Sequence, residues 1–313
     1  ERINKGGGVF ILDGGTGEEL FRHGVPDDRK IWSATAVVNE EYHEALRNVH
    51  RSFIQAGSDA ITTNSYGITP GVGFTPKEVK KYVALSARLA QQSLMKEKET
   101  FVLGSISPLV ESYRPDLVSD HTVGVAGYVT MIESLLSSQS IDCILAETLS
   151  SSEEATQAIE ALGQCCQDMP IMISFTLNSG GKVRSNESVC NAIRCIVNFS
   201  EMQNVLLAGI LFNCSVPEAI RIALREIYED SHIKNSLLKK TIRLGAYANR
   251  LTPIEENWSL EESEEAQPMR EISPDQYLEE VDIWVKRLGV TMVGGCCGIQ
   301  PEHIERISKH FRP

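Results

Sequence analysis

Cysteine thiolates are the most reactive side chains that this sequence places at predicted strand ends. Cys214 ends one apolar run, and the vicinal pair Cys296-Cys297 ends another. Three thiolates converging at one point would suit zinc, which prefers soft sulfur ligands in a tetrahedral arrangement. Glycines flank the vicinal pair on both sides, and they give the backbone the freedom to turn two adjacent side chains toward one ion. This spacing favours a zinc site on the three cysteines, and zinc would hold any thiol that binds it as a thiolate.

Two other interpretations of these cysteines stay open at this point. A lone buried cysteine usually fills core space, so Cys214 alone would carry no functional prediction. A vicinal pair can also form a strained redox disulfide. The second vicinal pair, Cys165-Cys166, ends a predicted helix and lacks glycines on both sides. We interpret Cys165, Cys190 and Cys195 as small buried hydrophobic residues.

Polar side chains follow several other predicted strands and could bind the charged groups of a substrate. The candidates are Asp13, Thr63, Asn64, Glu147, Thr148 and Asn213. Glu147 could pair with a substrate ammonium, and Asp13 could assist by its charge or by orienting the backbone of Gly14 and Gly15. The N–H groups of that backbone could receive a substrate carboxylate.

Each of these residues also has a structural interpretation. Asp13 could be a strand-end turn residue or a helix cap, and Glu147 could belong to a structural ion pair. Thr63 and Asn64 could satisfy backbone groups at a strand end. The pattern alone does not choose between these roles.

Short apolar runs alternate with amphipathic segments along the whole chain. The predicted strands are residues 9–14, 59–66, 100–106, 142–149, 170–177, 205–214, 241–249 and 290–297. Apolar positions recur at helical spacing in residues 39–56 and 77–98, and Pro217 and Pro274 stand where first-turn prolines belong. Serines followed by glutamates at residues 151–154 predict a capped helix start.

Eight strand–helix units in alternation predict an α/β fold, a single (β/α)8 TIM barrel that spans residues 1–313. A doubly wound open sheet is the alternative. Its usual phosphate-binding loop is missing, because Gly14, Gly15 and Gly17 follow the first strand without forming G-x-G-x-x-G. In a barrel, the carboxyl ends of all the strands meet at one face, where the candidate residues would be brought together.

Composition excludes some partners and compartments. Asp plus Glu number 42 against 30 Lys plus Arg, a formal net charge of −12, so nucleic acid and anionic membrane surfaces are unfavourable partners. Eight cysteines diluted in 313 residues indicate a reducing compartment rather than a secreted disulfide scaffold. We therefore expect a cytoplasmic monomer or homodimer. Because the chain begins at Glu1 rather than Met, a trimmed targeting segment is compatible with this expectation.

Several motifs in order along the chain resemble the zinc-dependent homocysteine S-methyltransferase family. They are Ile11-Leu12-Asp13-Gly14-Gly15, Trp32-Ser33, Ala60-Ile61-Thr62-Thr63-Asn64-Ser65-Tyr66, Glu147-Thr148, Asn213-Cys214 and Gly294-Gly295-Cys296-Cys297. The resemblance implies a (β/α)8 barrel, zinc on the three cysteines and homocysteine as methyl acceptor. It also implies that Trp32 and Tyr66 lie near the zinc and the methyl donor, although both could be ordinary core aromatics.

The family resemblance implies a reaction and leaves its substrates partly open. We expect methyl transfer from a sulfonium donor, S-methylmethionine or S-adenosylmethionine, to homocysteine, giving methionine. A methyltransferase for selenocysteine or another small thiol is one alternative, and a non-catalytic zinc-stabilised barrel is another. The family's segments after the third and seventh strands are replaced here by residues 104–109 and 248–251, which puts the donor's identity in doubt.

One segment is strongly acidic. Residues 252–273 contain seven glutamates against one arginine, with Trp258 near the middle. A solvated surface loop is one interpretation of this composition. Because the segment follows the seventh strand, at the catalytic face of a barrel, a mobile lid is the other interpretation.

Overall fold

Eight parallel strands form one sheet that curls into a nearly closed barrel. The computed structural model describes residues 8–28, 30–255, 258 and 267–312. The strands are β1 (Phe10–Ile11), β2 (Ala60–Thr62), β3 (Phe101–Ile106), β4 (Cys143–Leu149), β5 (Ile171–Phe175), β6 (Leu207–Asn213), β7 (Arg243–Tyr247) and β8 (Met292–Val293). From β2 to β8 each strand pairs in parallel with the next strand in chain order, and β8 also pairs in parallel with β1, so that β1 and β2 are the two strands that face each other across the remaining seam. The predicted (β/α)8 barrel is therefore confirmed.

Helices connect the strands on the outside of the barrel. They are α1 (Thr16–Arg22), α2 (Thr35–Val38), α3 (His43–Ala56), α4 (Pro76–Gln92), α5 (His121–Ser137), α6 (Ser152–Cys165), α7 (Val189–Met202), α8 (Pro217–Glu229), α9 (Ser231–Lys239), α10 (Pro274–Leu288) and α11 (Pro301–Phe311). The predicted starts are confirmed: Ser151 caps α6 by accepting from the Glu154 N–H, and Pro217 and Pro274 open α8 and α10. Among the described helices, none has the length and apolar character needed to cross a bilayer.

The first, second and last strands are shorter than predicted. β1, β2 and β8 contain 2, 3 and 2 residues, because the chain leaves the ladder to build the face above the barrel. At the seam between β1 and β2, side chains replace part of the ladder. The Asp59 N–H donates to Ile11 O at 2.6 Å, and Asp59 Oδ2 accepts from the Ile11 N–H at 2.8 Å. Above them, Asp13 accepts from the Thr62 N–H at 2.7 Å and from Thr62 Oγ1 at 2.9 Å.

This seam predicts a structural cost for losing the Asp13 carboxylate. Asp13→Ala would leave the partly buried Thr62 amide without its acceptor, which should lower the free energy of unfolding by about 1–3 kcal/mol. Asp13→Asn keeps one acceptor oxygen and should cost less. Urea unfolding of both variants measures the difference. If Asp13→Ala were as stable as the wild type, the seam role of Asp13 would be wrong.

The barrel interior is apolar in one layer and polar in the layer above it. The apolar cluster includes Leu103, Leu145, Met172 and Leu211. Two residues further along the same strands come Ser105, Glu147, Ser174 and Asn213. Because side chains alternate along a strand, both sets point inward. The fold therefore places a buried polar layer directly beneath the carboxyl ends of the strands.

Candidate active site

A cavity of about 230 Å³ opens at the carboxyl ends of the strands, more than ten times the ~10–15 Å³ that one water molecule requires. All the candidate residues except Asn213 line it, namely Asp13, Gly14, Gly15, Trp32, Thr63, Asn64, Tyr66, Glu147, Thr148, Cys214, Cys296 and Cys297. Asn213 is fully buried and is not among the residues that line the cavity. The fold thus gathers side chains from both ends of the chain at one face of the barrel.

The three predicted cysteines form a compact sulfur triad. Cys214 Sγ lies 3.0 Å from Cys296 Sγ and 3.7 Å from Cys297 Sγ, and the vicinal sulfurs are 3.9 Å apart. A tetrahedral ion with zinc–sulfur bonds of about 2.3 Å places its ligand atoms about 3.8 Å apart, so two of the three separations fit directly. Only the shortest would need to widen. Among the described residues, this triad is the one group of metal-binding side chains close enough to hold an ion together.

The electrostatics of the triad also fit a cation. Hydrogen bonds from Cys296 and Cys297 lower the pKa of Cys214, whereas the same contacts with Cys214 raise the pKa of Cys296 and Cys297. Three thiolates this close therefore oppose one another's ionisation. A dication between them would remove that opposition, because a coordinated thiol is deprotonated.

Backbone turns bring the sulfurs together. Cys214 follows β6 in the left-handed region with φ 48°, and Gly298 follows the vicinal pair with φ 79°. The chain that follows β8 is held by two backbone hydrogen bonds. The Gly295 N–H donates to Asp13 O and the Cys296 N–H donates to Ala248 O, both at 2.9 Å. A Cβ on Gly295 would lie 2.1 Å from the Ile299 side chain. The predicted bend at the strand end is therefore confirmed, and it needs glycine.

Glu147 occupies the centre of the polar layer. Ser105 Oγ donates to Glu147 Oε1 at 2.6 Å, and Tyr247 OH donates to Glu147 Oε2 at 3.1 Å across the barrel. Burial raises the pKa of Glu147 to about 7. The hydrogen bonds fix the direction of the carboxylate while it lines the cavity. Both partners of the carboxylate are hydroxyl groups, and no lysine, arginine or histidine lines the described part of the cavity, so the structural ion pair considered for Glu147 is not found among the described residues.

Asp13 has both a structural contact and a place in the cavity. Burial raises its pKa to about 6, against the opposing effect of the hydrogen bonds from Thr62. The Gly15 N–H, proposed as a carboxylate receiver, instead donates to Ile299 O at 2.8 Å. That amide already has a partner, so the Gly15 N–H is wrong as a receiver of the carboxylate, and the close approach to Cys296 O requires glycine at this position. Gly15 lines the cavity, and its part in binding the substrate stays a prediction.

The other polar candidates mainly hold neighbouring backbone. Asn213 accepts from the Thr148 N–H at 3.0 Å and donates to Thr148 Oγ1 at 2.8 Å. It thereby stabilises Thr148 in the left-handed region, with φ 64°. Asn64 exchanges two hydrogen bonds of 2.8 Å with Ser33, and Thr63 Oγ1 accepts from the Ser105 N–H at 2.9 Å. These contacts match the structural interpretation while Thr148, Thr63 and Asn64 still line the cavity.

Aromatic rings form two walls of the cavity. Trp32 lies edge-to-face with Tyr66 at 6.2 Å between ring centroids and with Phe21 at 6.1 Å. On the other side, Tyr113 and Trp258 are edge-to-face at 5.6 Å. The described lining residues include four acids, Asp13, Glu18, Asp27 and Glu147, and no lysine, arginine or histidine. The described part of the cavity is therefore aromatic and carries acidic side chains without basic ones.

The acidic segment begins and ends at the rim of this cavity. Its ends are joined to each other, since Thr252 N donates to Pro268 O at 2.9 Å and Leu251 pairs with Met269. Ile254, Trp258 and Met269 line the cavity. Most of the glutamates, including the run at residues 261–265, lie outside the described residues. The lid stays a prediction, and the rim position is compatible with it.

Sequence reasoning missed three residues of the site. Tyr247 is the last residue of β7 and lies within the predicted strand 241–249, so strand alternation would have found it. Glu18 lies in the first turn of α1 with one carboxylate oxygen buried and without a hydrogen-bond partner, and burial raises its pKa to about 7. Tyr113 comes from the long connection between β3 and α5, which no periodicity addresses.

The remaining cysteines depart in part from their predicted burial. Cys190 is buried as expected, but Cys165 is only partly buried and Cys195 is exposed. The prediction that Cys195 is a core residue is wrong, because Cys195 lies on the outward face of α7. The inward face of that helix carries Ile193 and Ile196.

Comparisons with known proteins identify the family to which the chain belongs. The model of a family described as homocysteine S-methyltransferase matches residues 10–311. Homocysteine S-methyltransferase 1 of Arabidopsis thaliana is 26% identical over 99% of this chain and 95% of its own length. Selenocysteine Se-methyltransferase of Brassica oleracea var. italica is 24% identical over 99% and 91%. The metallated form of homocysteine methyltransferase MmuM from Escherichia coli has the same fold, with a TM-score of 0.74 at 21% identity over 99% of this chain and 98% of that one. With the family model covering the barrel from its first strand to its last helix, this chain belongs to the homocysteine S-methyltransferase family and is a methyltransferase.

Proposed function

We propose that this protein transfers a methyl group from a sulfonium donor to the thiol of homocysteine, with zinc held by Cys214, Cys296 and Cys297. The observation that carries the proposal is the sulfur triad at the floor of a large cavity. When bound, zinc supplies a positive centre that favours the thiolate form of a coordinated thiol and leaves a fourth position open for it. With three thiolate ligands, that centre stays electron-rich, which preserves the nucleophilicity of the substrate sulfur.

The acceptor's amino-acid end would be held by the polar layer. The Glu147 carboxylate lines the cavity and is oriented by Ser105 and Tyr247, so it can accept charge-assisted hydrogen bonds from the substrate ammonium. Asp13 lies at the same face and adds negative charge near that ammonium. These two acids fix the direction in which the thiol reaches the triad.

The methyl donor would be a cation. Four acids and no basic side chain line the described part of the cavity, and its aromatic walls offer the faces that attract sulfonium and quaternary ammonium groups. In the transfer step, the acceptor sulfur forms a bond to the methyl carbon while the donor carbon–sulfur bond breaks. The electron pair returns to the donor sulfur, giving methionine and a neutral thioether. Loss of the donor's charge weakens its hold on the cavity and favours release.

Selenocysteine is the second candidate acceptor. The similarity to a selenocysteine Se-methyltransferase at 24% identity, close to the 26% of the homocysteine enzyme, favours keeping it. Both acceptors carry an amino-acid end and a soft nucleophile, so the same residues would bind them. A non-catalytic zinc-stabilised barrel would not need an open cavity above the triad.

Zinc-loaded protein offered each substrate pair separately tests the proposal. Mass spectrometry should detect methionine from homocysteine with S-methylmethionine or S-adenosylmethionine, and little with betaine, whose carboxylate cancels its charge. Activity with betaine alone would overturn the sulfonium donor. Methylation of selenocysteine without methylation of homocysteine would overturn the acceptor, and no transfer from any pair would favour the non-catalytic barrel.

A further inference from the structure

A tyrosine hydroxyl contacts one member of the sulfur triad. Tyr113 OH donates to Cys214 Sγ at 3.1 Å, although the two residues are 101 positions apart in the chain. Tyr113 is only 7% exposed, so water does not compete freely for its hydroxyl. A thiolate is a good acceptor for such a donor.

The ring of Tyr113 is held on several sides. Its backbone lies in the left-handed region with φ 67°, a conformation that persists only where the surroundings enforce it. Trp258 packs edge-to-face on the ring, and the Arg184 guanidinium lies 5.7 Å from the ring centroid. Arg184 Nε also donates to Tyr113 O at 3.3 Å. These contacts fix the orientation of the Tyr113 ring, so that its hydroxyl points at Cys214 Sγ.

Arg184 joins this tyrosine to the beginning of the acidic segment. Its two terminal nitrogens donate to Ile254 O at 3.0 Å and to Glu255 O at 2.6 Å. Arg184 is 7% exposed, so these contacts form where solvent screening is weak. Arg184 therefore connects the backbone of Tyr113 to the backbone of residues 254 and 255 at the rim of the cavity.

We propose that Tyr113 is a positioning residue that donates a hydrogen bond to the Cys214 thiolate and so tunes the charge which that ligand places on zinc. The inference rests on the proposed zinc site. A donor on the sulfur withdraws electron density that would otherwise reach the metal, and such outer contacts adjust both ligand orientation and metal reactivity. Because Arg184 contacts both Tyr113 and the start of the segment after β7, the position of that segment also affects the hydrogen bond from Tyr113 to Cys214.

Cobalt(II) substitution tests the hydrogen bond directly, because cobalt accepts similar ligands and its sulfur-to-metal charge-transfer absorption reports the energy of the sulfur lone pair. Tyr113→Phe removes the hydroxyl and keeps the ring. Without the donor, the lone pair rises in energy, so the charge-transfer band should shift to lower energy. Arg184→Lys is the second variant, for use if Tyr113→Phe binds no metal. It loses the contacts by which Arg184 holds Tyr113, so the charge-transfer band should shift in the same direction by a smaller amount.

Tyr247→Phe is the matched control. It removes a hydroxyl from the same cavity that donates to Glu147 rather than to a cysteine, so the band should stay in place. A wild-type protein without any charge-transfer band would overturn the zinc site itself. If the wild type shows the band and its energy is unchanged in Tyr113→Phe, the role of Tyr113 alone would be overturned. The same holds for Arg184→Lys where that variant is needed.

Discussion

Replacing Cys214, Cys296 or Cys297 by alanine should reduce bound zinc from about one ion per chain to a small fraction and abolish methyl transfer. Each substitution removes one of three thiolate ligands, and the two that remain do not form a stable tetrahedral site. An ion on this triad would join the ends of β6 and β8, so its loss should also lower the melting temperature. Metal analysis of the purified variants, with calorimetry of each, measures both effects.

Cys143→Ala is the control for this experiment. Cys143 is a fully buried cysteine inside the barrel, at the amino end of β4. Its removal deletes a sulfur and leaves the triad intact, so zinc content should be unchanged while stability falls from the small void. Full zinc occupancy in all three triad variants would contradict the proposed metal site.

Glu147→Gln should raise the homocysteine concentration needed for half-maximal rate by roughly 10- to 100-fold while zinc content stays constant. Glutamine is nearly isosteric and can keep the contacts to Ser105 and Tyr247, but it carries no charge for the substrate ammonium. A hydrogen bond to a charged group is worth about 1.5–3 kcal/mol, which corresponds to that range of affinity.

The contribution of Glu147 to homocysteine binding should change with pH in a defined direction. Burial raises the pKa of Glu147 to about 7, and only the ionised carboxylate attracts an ammonium. Homocysteine binding by the wild type should therefore weaken as the pH falls through 7. In Glu147→Gln this contribution is lost, so the wild-type advantage should shrink toward acid pH and be largest above pH 7.

Glu154→Gln provides a matched substitution outside the cavity. Glu154 is also a buried glutamate bonded to a serine and a tyrosine, through Ser150 at 3.0 Å and Tyr128 at 3.3 Å, and it does not line the main cavity among the described residues. Its replacement should leave the homocysteine requirement unchanged. Equal effects of the two substitutions, or none from Glu147→Gln, would contradict a role for Glu147 in binding the acceptor.

Strand alternation explains why much of the site was predictable. Parallel strands bring their carboxyl ends to one face, so a cysteine after β6 and two after β8 must approach each other even though more than 80 residues separate them. The same rule places Glu147 above Leu145 in the interior. Periodicity therefore predicted the barrel, and the triad followed from the strand-end cysteines together with the family resemblance.

Contacts made by connections and seams were not predictable in the same way. Tyr113 reaches Cys214 from a connection whose path depends on packing against Arg184 and Trp258. The Gly15 amide was assigned to a substrate, but the turn after β8 supplies Ile299 O as its partner. Such pairings depend on where a loop lies in space, and no local pattern in the sequence encodes that position.

X-ray absorption at the zinc edge, with and without homocysteine, tests the central claim most directly. The zinc protein should show three sulfur neighbours at about 2.3 Å in the absence of substrate and four after homocysteine is added. The fourth sulfur would place the acceptor thiol on the metal in the cavity above the triad. An unchanged sulfur count at saturating homocysteine, or four protein sulfurs before it is added, would contradict the proposed mechanism.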